Sequence, residues 1–209
     1  MAGHGHSHSC GGGCDHSLQY EFSTDFSLHT RINDSTFECL GEEVDGTGRK
    51  VFKNYDDRME KETFVNSDCD PELLFNIPFT GNVKIFSIII IGGEDDEQPT
   101  KVKIFKNTPG LTFDDAQGKK ADQEIDLSPD PKGDLQYPLK AAKFSNVFHL
   151  SLFFPSSVGE DISKVYYIGL RGEFKKADRD QVLVANYELN ANPADHKNPL
   201  TESSGHQIQ

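Results

Sequence analysis

The chain has 209 residues, a formal net charge of −13 and an apolar content of only 35%. Its length suits one domain with tails. Because phosphate binding needs clustered Lys and Arg, the acidic balance excludes nucleic acid and anionic membranes as partners. The N-terminus shows no apolar h-region of a signal peptide, and no stretch is long enough for a membrane-spanning helix. We therefore expect a protein of the cytoplasm, with the nucleus as a second compartment.

Residues 1–19 are mostly Gly, His, Ser and Cys, and this composition predicts a disordered tail. The tail contains six soft or borderline metal ligands, namely His4, His6, His8, Cys10, Cys14 and His16. Such ligands suit zinc, copper or nickel. The alternative is a flexible segment that holds metal only during purification. The other two cysteines, Cys39 and Cys69, are expected to be reduced thiols that pack as small hydrophobes.

The folded domain is predicted over residues 20–189, and its strongest feature is the stretch 67–92. Two apolar runs, 73–79 and 83–91, are separated by Thr80-Gly81-Asn82. Apolar runs rich in Ile, Val and Phe around a short Gly/Asn segment predict two β-strands joined by a turn. The second run is almost continuously apolar, which indicates a central strand buried on both faces.

Further strands are predicted along the rest of the chain, at residues 101–104, 123–127, 134–139, 144–154, 164–170 and 181–187. The best run of helix formers, 56–64, is short. Strands with turn signals between them, and without alternating amphipathic helices, exclude a doubly wound α/β fold. The sequence therefore predicts an all-β fold, an antiparallel β-sandwich of jelly-roll type. Residues 190–209 are polar and predict a loosely ordered C-terminal tail.

Five short motifs together resemble the PITH domain, the proteasome-interacting thioredoxin domain. They are Ser-Asp-Cys-Asp-Pro-Glu-Leu-Leu at 67–74, Asn-Ile-Pro-Phe at 76–79, Thr-Phe-Asp-Asp at 112–115, Lys-Phe-Ser-Asn-Val at 143–147 and Tyr-Ile-Gly-Leu-Arg-Gly at 167–172. The resemblance covers about residues 20–196. Cys69 stands where the family usually has Ala, and Pro71 where it usually has Asp or Glu.

The resemblance implies a jelly roll similar to galactose-binding domains. It also implies docking on the 26S proteasome, because in a thioredoxin-like relative a PITH domain follows a thioredoxin domain and docks there. This chain has no Cys-x-x-Cys near a βαβ pattern, so oxidoreductase activity is not carried over.

Residues 67–72, here called the acidic turn, carry the carboxylates Asp68, Asp70 and Glu72. Three carboxylates so close together favour either a calcium or docking site or a turn in which they bond nearby backbone amides. Arg171 follows a strong strand and is expected to be exposed, where it either pairs with this turn or contacts a partner. His149 lies in an apolar strand and is expected to be a core or interface histidine.

The sequence thus predicts a non-catalytic intracellular protein-interaction module with a regulatory adaptor role. Its expected partner is a protein, with the 26S proteasome implied by the resemblance, and no cofactor is expected. No Gly-x-Ser-x-Gly elbow or comparable arrangement indicates catalytic residues. One alternative is a β-sandwich that binds a small ligand or glycan, although sugar sites usually offer aromatic surfaces and the chain has no Trp. Another is metal binding through the N-terminal tail.

Overall fold

The structure is a computed structural model, and it describes residues 26–175. The strands are β1 Glu38–Leu40, β2 Val65–Asn66, β3 Leu73–Gly92, β4 Lys101–Lys106, β5 Gln123–Asp126, β6 Tyr137–Pro138, β7 Val147–Phe154 and β8 Lys164–Lys175. Two short α-helices, α1 Thr47–Lys50 and α2 Phe113–Gly118, lie between them, with 3-10 turns at His29–Arg31, Tyr55–Asp57 and Asp95–Glu97. Within the described range no helix has the length and apolar character needed to cross a membrane. The predicted tails and the predicted strand at 181–187 lie outside the described residues.

All strand pairs are antiparallel, in the order β2-β8-β3-β7-β4-β5, and β1 and β6 also pair with β3. The first half of β3 is bonded to β1 and β7, and the second half to β6 and β8. Side chains from β4, β7 and β8 meet in one main core. This arrangement is that of an antiparallel β-sandwich, so the predicted fold class and the central position of this segment are confirmed.

The predicted turn within residues 80–82 is wrong, because β3 continues through it as a single strand of 20 residues. The strand changes its main partner there instead: it pairs with β7 over residues 73–78 and again at Val83, and with β8 from Asn82 onward. A Cβ atom on Gly81 would lie only 3.0 Å from the carbonyl oxygen of Lys175. The glycine therefore allows β8 to approach closely, and it does not reverse the chain.

A bulge in β3 decides which isoleucines enter the main core. The register between β3 and β8 shifts between Ile85 and Ser87. Main-core side chains occupy odd positions up to Ile85 and even positions from Ile88 onward, as expected when one extra residue is inserted in a strand. The alternate isoleucines of the run 88–91 pack on the opposite face with Tyr55 and Tyr167. The run is buried on both faces, as predicted.

Three apolar clusters cover the faces of the sheets. The main core contains edge-to-face aromatic contacts that connect Phe37, Phe52, Phe75 and Phe154, with ring centroids 5.7–5.8 Å apart. A second cluster lies under α2, where Phe113 packs on Phe153 at 6.0 Å. The third surrounds the 3-10 turn Tyr55–Asp57 and the second half of β3. Burial on both faces fixes the long central strand in one register.

The run of helix formers and the Thr-Phe-Asp-Asp motif had different outcomes. The run 56–64 forms only the 3-10 turn Tyr55–Asp57 followed by loop. The Thr-Phe-Asp-Asp motif, in contrast, begins α2: the Thr112 hydroxyl caps the helix by accepting the Asp115 amide at 3.4 Å. This helix start explains the polar residues of that motif without a ligand.

Candidate functional site

The acidic turn is fixed by its own side chains and by the loop before β8. The Asp70 carboxylate accepts the Glu72 amide at 2.9 Å, as in an Asx turn. The Ser67 hydroxyl accepts the Ser163 amide at 2.8 Å, and the Ser163 hydroxyl donates to the Pro71 carbonyl at 2.6 Å. These bonds satisfy backbone groups just before β3, so the geometry supports the interpretation as a strand-entry turn.

The acidic turn still presents charge to solvent. Asp68 and Asp70 are exposed, whereas Glu72 is half-buried and accepts the side-chain amide of Gln117 at 2.7 Å. The thiol of Cys69 donates to Asp68 at 3.2 Å, and this bond raises the pKa of the thiol. The described part of the chain contains no group of three or more His, Cys, Asp or Glu side chains placed to hold a metal ion. Two exposed carboxylates thus remain for a protein partner, and the calcium hypothesis gains no support.

Arg171 is not exposed, and that prediction is wrong. The residue is 3% exposed, lies opposite Ser87, and places its guanidinium 4.8 Å from the ring centre of Tyr55. Because β8 continues to Lys175, Arg171 lies inside the strand and not at its end. Burial lowers its pKa. The acidic turn precedes the other half of β3, so the structure does not bring Arg171 to its carboxylates.

Arg171 instead belongs to a buried aromatic cluster at the second half of β3. Arg58 lies over the same Tyr55 ring, with its guanidinium carbon 3.9 Å from the ring centre. Burial raises the pKa of the neighbouring Tyr167 to about 12. Arg58 also donates to the carbonyl of Lys132 at 2.9 Å. The cluster therefore attaches the loops that carry Arg58 and Lys132 to this end of the sheet.

Of the other residues singled out from the sequence, His149 is buried, Cys39 is partly buried, Cys69 is exposed, and the N-terminal ones are undescribed. His149 is 6% exposed, and burial lowers its pKa, so the core histidine is confirmed. Cys39 and Cys69 are free thiols. Cys39 lies in β1 and packs against the main core, as predicted, whereas the prediction is wrong for Cys69, which is exposed in the acidic turn. Burial raises the pKa of Cys39 well above its usual value. The predicted metal ligands, His4, His6, His8, Cys10, Cys14 and His16, lie outside the described residues.

Four loops meet beyond the end of β3, and we call this surface the loop end: residues 55–64, 92–99, 129–135 and 156–163. Contacts between the loops hold them together. Lys61 forms an ion pair with Glu94, and the amide of Val158 donates to the carbonyl of Gln98 at 2.9 Å. The loop end is thus a joined surface built from four separate parts of the sequence.

A cleft of about 540 Å³ lies within the loop end. It is lined by apolar and acidic residues, among them Ile91, Glu94, Asp95, Asp130 and Val158. Its volume lies in the range of ligand sites, roughly 300–1,000 Å³. Asp130 is only 7% exposed, and its carboxylate accepts the amide of the nearby residue 135 at 2.7 Å. The cleft can therefore offer a positioned carboxylate beside apolar side chains.

Exposed apolar side chains also concentrate at the loop end. Six large apolar residues of the described chain are exposed, and four of these lie in the loops just defined: Met59, Phe64, Leu135 and Val158, with 38–55% of their surface accessible. Exposed apolar residues grouped at one place are typical of surfaces that a partner covers. This is the strongest binding feature of residues 26–175.

The sequence carried a partial signal for this surface. Gly92 and Gly93 directly follow the strongest strand, and Cβ atoms there would lie 2.5 Å from Gln98 and 2.7 Å from Glu97. These glycines therefore allow the loop 94–98 to fold back closely on the strand. The Pro-Asp-Pro at 129–131 marks the second wall of the cleft. Neither motif, however, indicates which loops meet.

Comparison with known families identifies the domain. A family model described as the PITH domain matches residues 19–191. The chain belongs to the PITH family. The match includes all described residues and confirms the resemblance inferred from the short motifs.

Relatives of this PITH chain match over nearly its full length. PITH domain-containing protein CG6153 of Drosophila melanogaster is 51% identical and covers 99% of both chains. PITH domain-containing protein 1 of Homo sapiens is 46% identical over 93% of both chains. The Dictyostelium discoideum protein of the same name is 36% identical, covering 92% of this chain and 95% of the relative.

Solved structures with a similar fold include carbohydrate-binding proteins. One is the family 32 CBM of C. perfringens NanJ in complex with galactose, with a TM-score of 0.48, 12% identity, and coverage of 69% of this chain and 97% of that one. Another is the fucolectin of striped bass serum, with a TM-score of 0.49, 10% identity, and coverage of 69% and 48% respectively. At these identities the similarity concerns the fold alone.

Proposed function

We propose that this PITH chain is a non-catalytic protein-interaction module that docks on the 26S proteasome and acts there as a regulatory adaptor, in the cytoplasm and the nucleus. The observation that carries the proposal is the grouping of exposed apolar side chains at the loop end. Membership of the PITH family supports a role in protein interaction. The proteasome is proposed as the partner because the resemblance to the PITH domain implies it.

The chemistry of the cleft supports binding over catalysis. Its lining contains Lys61, carboxylates, Gln98, glycines, prolines and aliphatic side chains, without a Ser, Thr, Cys, His or Tyr among the described residues. The pKa shifts in the cleft are those of Lys61, which is raised, and Glu94, which is lowered, and their mutual hydrogen-bonded ion pair causes both. The usual pairing of a nucleophile with a neighbouring base is thus missing from this lining.

Co-sedimentation with purified 26S proteasome tests the proposal, with two matched valine variants. Val158 in the loop end is 55% exposed, and Val44, in the loop before α1, is 59% exposed. Val158→Asp should lower the affinity roughly ten-fold, since a charge replaces an apolar contact in the interface. Val44→Asp should bind like the wild type.

Absence of wild-type co-sedimentation contradicts the proteasome as partner. Equal losses from both valine variants contradict the loop end as the binding surface. Crosslinking mass spectrometry in cells then reports which complex, if any, the chain contacts, and which of its lysines lie at the interface.

A further inference from the structure

The loop end is strongly acidic. Its four loops hold twelve Asp or Glu residues and three Lys or Arg residues, in a chain whose net charge is −13. Two of the cations near the cleft are already neutralised: Lys61 pairs with Glu94, and Lys164 pairs with Glu97 at 2.5 Å. Lys53 pairs with Glu60 at 4.0 Å, whereas Asp95 and Asp130 line the cleft without an ion-pair partner among the described residues.

Two of these carboxylates line the cleft. Asp95 begins the 3-10 turn Asp95–Glu97, is exposed, and has a φ of 49°. Asp130 is 7% exposed and is fixed by the amide of Leu135 at 2.7 Å. Neither has an ion-pair partner among residues 26–175. Asp130 is thus hydrogen-bonded but not ion-paired, and because buried carboxylates are usually charge-paired, its position in the cleft favours a cation there.

Apart from Gln98 and the Lys61–Glu94 ion pair, the rest of the lining is apolar and favours a side chain with an aliphatic stem. Ile91, Val158, Pro129 and Pro131 line the same cleft. Lys and Arg bury their methylene groups against apolar surfaces while the charged end reaches an anion. The cleft therefore matches both parts of such a side chain.

We infer that the cleft accepts a Lys or Arg side chain, flanked by apolar residues, from a protein partner. This inference rests on the proposed protein-interaction function and names the face and the chemistry of the contact. The cation lies between Asp95 and Asp130, and the neighbouring apolar residues of the partner cover Met59 and Val158. The acidic field of the loop end speeds the encounter and makes binding sensitive to salt.

The composition of the cleft disfavours the other occupants. A nucleic acid or an anionic lipid would meet repulsion from the acidic loops. A sugar usually stacks on an aromatic ring, and none of the described residues that line the cleft is aromatic.

Peptide binding followed by ¹⁵N NMR tests the inference on the full chain. The probe is an extended peptide of about 12 residues, which is long enough to cross the cleft. It contains one Arg between leucines. Its control contains citrulline, which keeps the shape and removes the charge. The Arg peptide should shift the amide signals of Gly92, Gly93 and Val158, and the shifts should weaken as salt rises.

Two isosteric variants remove the charge without removing the fold. Asn tolerates the positive φ of Asp95, and Asp130→Asn keeps an oxygen for the Leu135 amide. Each variant should lower the affinity for the Arg peptide roughly ten-fold, because it loses one charge-assisted hydrogen bond. Asp114→Asn, at the start of α2, makes the same charge change elsewhere and should leave the affinity within about two-fold.

The inference is overturned by the absence of a saturable shift up to roughly 1 mM peptide, by equal binding of the citrulline peptide, or by shifts centred on the acidic turn. Shifts at the cleft with galactose and not with the Arg peptide overturn it in favour of a sugar. The proteasome assay separates the two proposals. If wild type and the Asp95→Asn/Asp130→Asn double variant co-sediment equally, the cleft inference fails and the proposed function stands. If the cleft binds the Arg peptide but the wild type does not co-sediment, the proteasome proposal fails alone.

Discussion

Asn76 is the polar residue whose removal should cost the fold most. It is 2% exposed in the first half of β3 and makes two buried bonds: its amide donates to the Leu111 carbonyl at 3.0 Å, and its oxygen accepts the Ser151 hydroxyl at 2.8 Å. In Asn76→Ala, the Leu111 carbonyl loses its donor, whereas the Ser151 hydroxyl retains the Thr108 carbonyl at 3.5 Å. One unsatisfied buried carbonyl and one weakened bond give a loss of about 2–4 kcal/mol in the free energy of unfolding.

Urea unfolding followed by far-UV circular dichroism measures this loss. Asn82 is the matched control, because it lies on the same strand but is exposed; Asn82→Ala should change stability by less than about 0.5 kcal/mol. A double-mutant cycle with Ser151→Ala should give a coupling energy of about 1 kcal/mol. A loss below about 1 kcal/mol for Asn76→Ala at an unchanged m-value would refute the reasoning.

Three further predictions concern the interior. Burial raises the pKa of Tyr167 from its usual value of 10 to about 12, so the folded state holds this proton more tightly than the unfolded state. The free energy of unfolding should therefore fall as pH rises from 10 to 12, and urea titrations should show a shallower fall in Tyr167→Phe. Gly172→Ala should lower the free energy of unfolding by about 1–3 kcal/mol, because its new Cβ would clash with the Lys84 carbonyl oxygen in β3. Gly118→Ala, where a Cβ meets open space, should not destabilise the protein, and thermal melts compare the two variants. With iodoacetamide at neutral pH, peptide mass spectrometry should find Cys69 labelled well before Cys39, since Cys69 is exposed and Cys39 is partly buried. Equal labelling would contradict the packing of Cys39 against the main core.

Local patterns predicted the strands well, because each strand depends on apolar residues close in sequence. The run 83–91 indicated a strand buried on both faces, and its isoleucines fill two clusters. The same local view failed at Gly81. A Gly-Asn pair between apolar runs usually marks a turn, but here the glycine makes room for Lys175 of a strand more than ninety residues away.

The site depended on contacts that no local pattern contains. Arg171 was expected at a strand end because Gly172 follows it, yet its surroundings are set by Tyr55 and Ser87 on other elements. The cleft likewise needs four loops from separate parts of the chain. The charged residues Asp95 and Asp130 were visible in the sequence, whereas their shared cleft was not.

The continuity of β3 also governs how the chain matures during synthesis. Its main partners, β7 and β8, end 62 and 83 residues after β3 does. At about 5–20 residues per second, the ribosome completes β8 roughly 4–17 s after β3. During that interval the most apolar strand of the protein has unpaired edges, a state prone to aggregation. We expect the nascent chain to depend on chaperones that shield β3, and truncations ending before β8 to be insoluble.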